Sequence, residues 1–157
     1  MNVLYFVVFI GSLFIQDECI HSNKHITESF LKTHSQIQHY VYNNKTKEAK
    51  IIAKDGSLIH FKRWACETKG ASTTVLIPKQ MGVKDAITYL LDHSKHFAEK
   101  TEVALISKKL NSELKKDIDE DEVLEYSLEI HADGYEDFYL LLQFNQEFTL
   151  VGFYYSK

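Results

Sequence analysis

The last third of the chain has the clearest hydrophobic pattern. Between residues 124 and 131, apolar side chains alternate with polar ones, which is typical of a strand with one face in water. Residues 138–144 and 148–155 are apolar at odd and even positions alike, which is typical of strands in the middle of a sheet. Asp133 and Gly134 supply a turn between the first two runs. The pattern predicts a C-terminal β-meander.

Residues 83–99 carry the clearest helical pattern. Their apolar side chains recur at spacings of three and four, so they share one face of a helix, while the other face is charged. The apolar face comprises Val83, Ala86, Ile87, Leu90, Leu91, Ser94, Phe97 and Ala98. Residues 102–107 have the composition of a strand, and Asn111 or Ser112 can cap a short helix after it. This segment therefore predicts one long amphipathic helix.

A hairpin is indicated in the first half of the chain. Asp55-Gly56 separates two apolar-rich runs, residues 49–54 and 57–67. An Asp-Gly pair between such runs is the strongest short hairpin signal, because the central residues of a type I′ turn need positive φ. We therefore expect two antiparallel strands joined at this pair.

The remaining segments complete an α+β domain. Residues 73–77 form a β-branched strand that ends at Pro78, and residues 27–41 have helical spacing, although 38–42 can equally form a strand. We predict an antiparallel β-sheet, consisting of the hairpin plus the C-terminal meander, packed against one long amphipathic helix. The 157 residues have room for one such domain, over residues 28–157.

The N-terminus carries an uncharged hydrophobic segment, VLYFVVFIGSLFI, over residues 3–15. A helix of this length spans about 20 Å at ~1.5 Å per residue, which is short of the ~30 Å hydrocarbon core. Length therefore favours a signal peptide or leader, residues 1–19, followed by a linker, residues 20–27. We expect export to the periplasm or the cell exterior. The alternative is that the segment is a buried strand or helix of a cytosolic domain.

Two cysteines bear on the same question. An oxidising compartment would allow a disulfide between Cys19 and Cys66, provided that Cys19 survives processing. Cys19 also follows the hydrophobic segment closely enough for lipidation, but residues 16–18 depart from a bacterial lipobox. Membrane contact is therefore expected only through the leader or through lipidated Cys19.

Charge and motif content exclude several functions. The net charge of −4 argues against a nucleic-acid partner, which usually calls for a basic patch. The six glycines are scattered, so no phosphate-binding loop is present, and no G-x-S-x-G nucleophile motif occurs. We expect no cofactor, and the sequence leans against an enzyme without deciding the question.

Two constellations have the residue types of a catalytic or metal site. His93, His96 and Glu99 recur every three residues on the long helix, which makes a shared metal ion geometrically feasible. They lack a further ligand, and histidines beside an apolar stripe are commonly structural, so we predict no metal site. Cys66 and His60 lie on one strand about 20 Å apart at ~3.3 Å per residue, too far for a nucleophile and its base.

Trp64 is the strongest candidate for a binding residue. On the predicted strand, His60, Lys62 and Trp64 point away from the face that carries Ile59, Phe61 and Ala65. A tryptophan beside charged residues has the composition of an interface hot spot, although a second layer could instead cover it. The other candidates lie near loops, near the terminus or in the acidic block 117–122: Tyr135, Tyr154, Asp119, Glu120 and Asp121.

These observations favour a non-enzymatic, exported protein-binding domain. An acidic domain of this kind could act as an immunity-type inhibitor of a secreted toxin, because opposite charges steer an acidic inhibitor to a basic enzyme. One alternative is a carrier that encloses a small ligand or lipid between the meander and the helix. The other is a small hydrolase or metalloenzyme built on Cys66 or on His93, His96 and Glu99.

Overall fold

The computed structural model describes residues 28–65, 68–116 and 125–157. The leader, the linker, both cysteines and the acidic block lie outside the described residues, so the predictions made for them stay predictions. The described helices and strands are α1 (Ser29–Thr33), β1 (Ile37–Asn43), β2 (Glu48–Ala53), β3 (Leu58–Ala65), β4 (Lys69–Ile77), α2 (Val83–Phe97), α3 (Lys100–Glu113), β5 (Glu125–Glu129), β6 (Asp137–Phe144) and β7 (Thr149–Ser156).

The seven strands form one antiparallel sheet in the order β1-β2-β3-β4-β7-β6-β5. The α+β class is thus confirmed. The predicted hairpin is the centre of a four-stranded meander, β1 to β4, and β5 to β7 form a second meander. The two meanders meet where β4 pairs with β7, from Gly70 opposite Ser156 to Ile77 opposite Thr149. The C-terminal strand therefore lies near the middle of the sheet.

The β2–β3 turn lies at Asp55-Gly56 as predicted, but the type I′ conformation is wrong, because Gly56 has a positive φ and Asp55 does not. Gly56 adopts a φ of 85°, which a glycine reaches without a Cβ clash. The Asp55 carboxylate accepts a hydrogen bond from the Ser57 backbone N–H at 2.9 Å. Ala53 and Ser57 then pair across the turn at 2.9 Å. The local residues thus fix the register of the strands that carry His60, Lys62 and Trp64.

One face of the sheet is covered by the helices. The apolar stripe of α2 packs on it, and Phe97 at the end of α2 meets Phe61 of β3 at a ring separation of 5.4 Å. Leu90 and Ile87 have no exposed surface, which at ~1.5–3 kcal/mol per buried aliphatic side chain makes α2 a major source of stability. The predicted long amphipathic helix is therefore present, although it is not the only one.

Residues 102–107 are helical, and the strand predicted there is wrong. They lie within α3, whose buried positions are Glu102, Ile106, Leu110 and Glu113. These positions have helical spacing, but two of the four are carboxylates, so the hydrophobic pattern did not reveal the helix. Asn111 and Ser112 lie in the last turn of α3, so the predicted helix start there is wrong too.

The segment for which the sequence allowed either a helix or a strand contains one of each. Only α1 is helical, and Leu31 buries its side chain in the core. Residues 38–42 belong to β1, an edge strand paired with β2. No helix in the described part of the chain is both long enough and apolar enough to cross a membrane.

Candidate functional site

The face of the sheet opposite the helices carries most of the residues that the sequence singled out. We call it the outer face. It is formed by alternate residues of every strand, and the strand pairings place His60, Lys62 and Trp64 of β3 on it together with Tyr154 of β7. The described helices all pack on the other face, against side chains such as Phe61 and Phe153. His60, Lys62, Trp64 and Tyr154 therefore belong to one surface.

Three aromatic rings form a row across the outer face. Trp64 lies 5.3 Å from Tyr154 between ring centroids, and Tyr154 stacks on Tyr139 of β6 at 5.0 Å. The Trp64 ring crosses β4 above Gly70, where a Cβ would overlap both the indole and the Tyr155 carbonyl oxygen. Gly70 is thus the residue that lets the indole lie flat on the sheet.

Charged side chains lie beside this row. Glu48 of β2 pairs with Lys62 at 3.3 Å and approaches His60 at 3.9 Å. Burial lowers the pKa of His60, and Lys50 and Lys62 lower it further, against the opposing effect of Glu48. Partly exposed pairs of this kind contribute about 0–1 kcal/mol to stability, so their main effect is to fix charge positions on the surface.

The outer face is also where apolar side chains are exposed. Among the described residues, four large hydrophobic side chains are exposed: Val41 at 73%, Ile52 at 41%, Leu58 at 50% and Tyr139 at 37%. All four are outer-face residues by the strand pairings. Ile52 and Leu58 are direct neighbours, and the same cross-strand row continues through the half-buried Leu76 to Leu150, which is buried. An exposed apolar group concentrated on one face is a feature of interaction surfaces.

Tyr135 lies on the other side of the molecule. Its hydroxyl donates to Glu102 at 2.5 Å, and its ring packs against Phe138 at 5.1 Å. It is therefore part of the helix-side packing and does not meet Trp64 or Tyr154. Asp119, Glu120 and Asp121 lie outside the described residues, as does the Cys19–Cys66 pair.

Two buried carboxylates of α3 were missed by sequence reasoning. Glu102 has no exposed surface, and one of its oxygens accepts hydrogen bonds from Tyr135 and Lys157, both at 2.5 Å. Burial acts to raise the pKa of Glu102, but the bonds from Lys157 and Tyr135 outweigh it and hold the pKa below its usual value. Glu113 is held similarly, by Tyr126 at 2.6 Å and by Lys116. These two carboxylates anchor both ends of α3 to the sheet.

His93, His96 and Glu99 do not converge. His93 is buried, and its Nε2 lies 2.9 Å from the Thr73 hydroxyl. His96 instead packs edge-on against His34 at 5.0 Å, while Glu99 approaches Lys157 at 3.9 Å. The part of the chain that the structure describes contains no group of three His, Cys, Asp or Glu residues placed to hold a metal ion.

Comparison with protein-family models, with curated proteins and with solved structures found no match. The interpretation of the outer face therefore rests on its own geometry. What that geometry offers is a broad surface with an aromatic row, an aliphatic row and fixed charges.

Proposed function

We propose that this chain is an exported, non-enzymatic domain that binds another protein through the outer face of its sheet. The observation that carries the proposal is the location of Val41, Ile52, Leu58 and Tyr139, the exposed large hydrophobic residues of the described chain, on one face. Water disfavours such a surface, and a protein partner would bury it.

The size and composition of the face suit a protein interface. Seven strands ~4.8 Å apart extend about 29 Å, and seven residues at ~3.3 Å extend about 23 Å, giving an area of roughly 670 Å². A standard interface buries about 800 Å² per partner. Trp64 and Tyr154 supply the aromatic residue types that dominate interface energetics, and Lys62 and Glu48 supply charged groups beside them.

Charge on the outer face indicates what the partner must offer. Lys50 and Lys62 lie on the β2–β3 side, whereas Asp137 and Glu129 lie on the β5–β6 side. A matching partner has apolar groups that cover Val41, Ile52, Leu58 and Tyr139, with acidic groups toward the first side and basic groups toward the second. The net charge of −4 would favour encounter with a basic protein, and a secreted toxin held inactive by this domain is one such partner.

Export is the second component of the proposal. Its support is the uncharged segment at residues 3–15, too short to span a bilayer and typical of a signal peptide. Expression in the source cell followed by fractionation and N-terminal sequencing tests it. A mature N-terminus near residues 20–27 is expected, whereas a cytosolic protein that keeps Met1 would contradict export.

The carrier alternative has less support from the geometry. The space between the sheet and α2 is filled by fully buried side chains such as Leu90, Leu140 and Val151. Pockets for small ligands typically measure ~300–1,000 Å³, which needs a gap that these side chains occupy.

Affinity capture with matched variants tests the binding face. Ile52→Glu and Tyr139→Glu place a charge on the outer face, and Thr88→Glu places the same charge on the exposed side of α2. We expect the wild type and Thr88→Glu to retain the same partner from the cell envelope, and the two outer-face variants to lose it. Equal retention by all four proteins would refute the proposal.

Self-association is the competing explanation for an apolar face. Sedimentation of the purified chain measures it directly. We expect a monomer at micromolar concentration, with the outer face open to a different protein. A stable dimer that Ile52→Glu dissociates would mean that a second copy covers the face, and the proposal would fail.

A further inference from the structure

A small cleft opens at the end of the sheet where β3 and β4 lie next to the last residue, Lys157. Its volume is about 90 Å³, and Glu99 at the start of α3 closes it on the helix side. Lys69 and Lys157 pair through their backbones across the β4–β7 junction at 2.7 and 2.8 Å, which brings their side chains to one place. Of the described residues that line the cleft, Trp64 and Gly70 are the two on the outer face.

Positive charge dominates the lining. Among the described residues, Arg63, Lys69 and Lys157 line the cleft, and Glu99 is the one acidic side chain that lines it. Lys157 is already engaged by Glu102 at 2.5 Å. Arg63 donates to the Phe97 carbonyl oxygen at 3.3 Å, and within the described residues neither Arg63 nor Lys69 forms an ion pair with a carboxylate.

Arg63 also carries a buried donor without an acceptor. Its Nε is inaccessible to water and has no hydrogen-bond partner in the described structure. Buried N–H groups in folded proteins are almost always paired. A guanidinium nitrogen can only donate, so the missing partner of Arg63 Nε is an acceptor.

We propose that this cleft binds a single oxyanion, the carboxylate or phosphate group of a ligand. Arg63 and Lys69, which both lie on the helix side of the sheet, supply the charge, and the Arg63 guanidinium supplies the N–H donors. An arginine fork suits the paired oxygens of either group. A volume of about 90 Å³ equals that of roughly three water molecules, so the cleft takes one acidic group and not the body of a large ligand.

Trp64 makes the proposal directly testable, because it is the only tryptophan in the chain. Its indole N–H gives one signal in a proton–nitrogen correlation spectrum. The full chain is titrated with sodium acetate and, separately, with sodium phosphate, at constant ionic strength maintained with sodium chloride. We expect a saturable shift of the indole signal with a dissociation constant in the millimolar range.

Matched variants locate the site. Lys69→Gln removes a lining charge at one end of β4, and Lys79→Gln removes an exposed charge beyond the other end. We expect Lys69→Gln to weaken anion binding about tenfold and Lys79→Gln to leave it unchanged. Arg63→Lys keeps the positive charge but loses the forked guanidinium donors, so it should weaken anion binding as well. If Arg63→Lys does not fold, the comparison of Lys69→Gln with wild type still tests whether the cleft binds the anion.

The two titrations distinguish the source of the oxyanion. Tighter binding of acetate indicates a carboxylate ligand, and tighter binding of phosphate indicates a phosphorylated one. A shift that grows linearly with either salt, or equal affinity in the wild type and Lys69→Gln, would overturn the proposal. Neither result bears on the outer face, where partner capture is measured separately.

Discussion

Mild acid should destabilise the domain through one buried histidine. His93 is 6% exposed, its ring stacks 4.4 Å from that of Phe97, and its Nε2 is within hydrogen-bond distance of the Thr73 hydroxyl. Burial lowers the pKa of His93 to about 3, and the neighbouring His96 and His34 lower it in the same direction. The folded domain therefore holds His93 neutral in the range where an unfolded chain would protonate it.

The sign and size of the effect follow from that pKa. The unfolded chain takes up a proton at His93 near pH 6.5, whereas the folded chain does not until about pH 3. The stabilisation is fully present above pH 6.5 and is lost as the pH falls toward 3. Each unit below 6.5 costs about 1.4 kcal/mol, so roughly 2 kcal/mol is lost between pH 7 and pH 5.

Denaturant unfolding at pH 7 and pH 5 measures this loss. His93→Gln keeps a polar group near Thr73 but cannot titrate, so the fall in unfolding free energy should shrink by roughly 2 kcal/mol relative to wild type. His34 and His60, whose pKa values are also lowered, account for part of the remaining fall. His131→Gln is the matched control, because that side chain is 84% exposed. The same pH dependence in His93→Gln as in wild type would refute the reasoning.

Further expectations concern the packing of Trp64 and the buried carboxylates. Gly70→Ala should destabilise by at least about 2 kcal/mol and change Trp64 fluorescence, because the new methyl group overlaps the indole. Glu102→Gln should cost about 2–4 kcal/mol in denaturant unfolding, since it removes the charge that Lys157 faces. Tyr126→Phe should cost about 1–2 kcal/mol by releasing the buried Glu113. Wild-type stability in any of these variants would contradict the corresponding contact.

Local chemistry made much of the sheet predictable. Asp55 and Gly56 specify the position of their turn, in which Gly56 has a positive φ. The alternation of apolar and polar residues from 125 to 129 specifies a strand with one face exposed to solvent. The same period of two placed His60, Lys62 and Trp64 on one side of β3. None of this requires knowledge of distant parts of the chain.

The strand order, the cleft and helix α3 depend on contacts between distant parts of the chain, so the sequence pattern did not predict them. Trp64 meets Tyr154 only because β7 lies between β4 and β6, and a period of two within each strand does not reveal strand order. The cleft depends on the same junction, where Lys69 pairs with Lys157. The helix α3 escaped prediction because Glu102 and Glu113 occupy its buried stripe, and their partners Tyr135, Lys157 and Tyr126 come from later in the chain.

Photo-crosslinking in the source cell tests the binding face most directly. A photoreactive benzophenone side chain replaces Tyr139 or Ile52 on the outer face, or Thr88 on α2 as the matched position. We expect illumination to join one partner protein to the chain from positions 139 and 52 and not from position 88. Crosslinks to a protein from position 88 alone, or none from 139 and 52, would contradict the account of the outer face as the protein-binding surface.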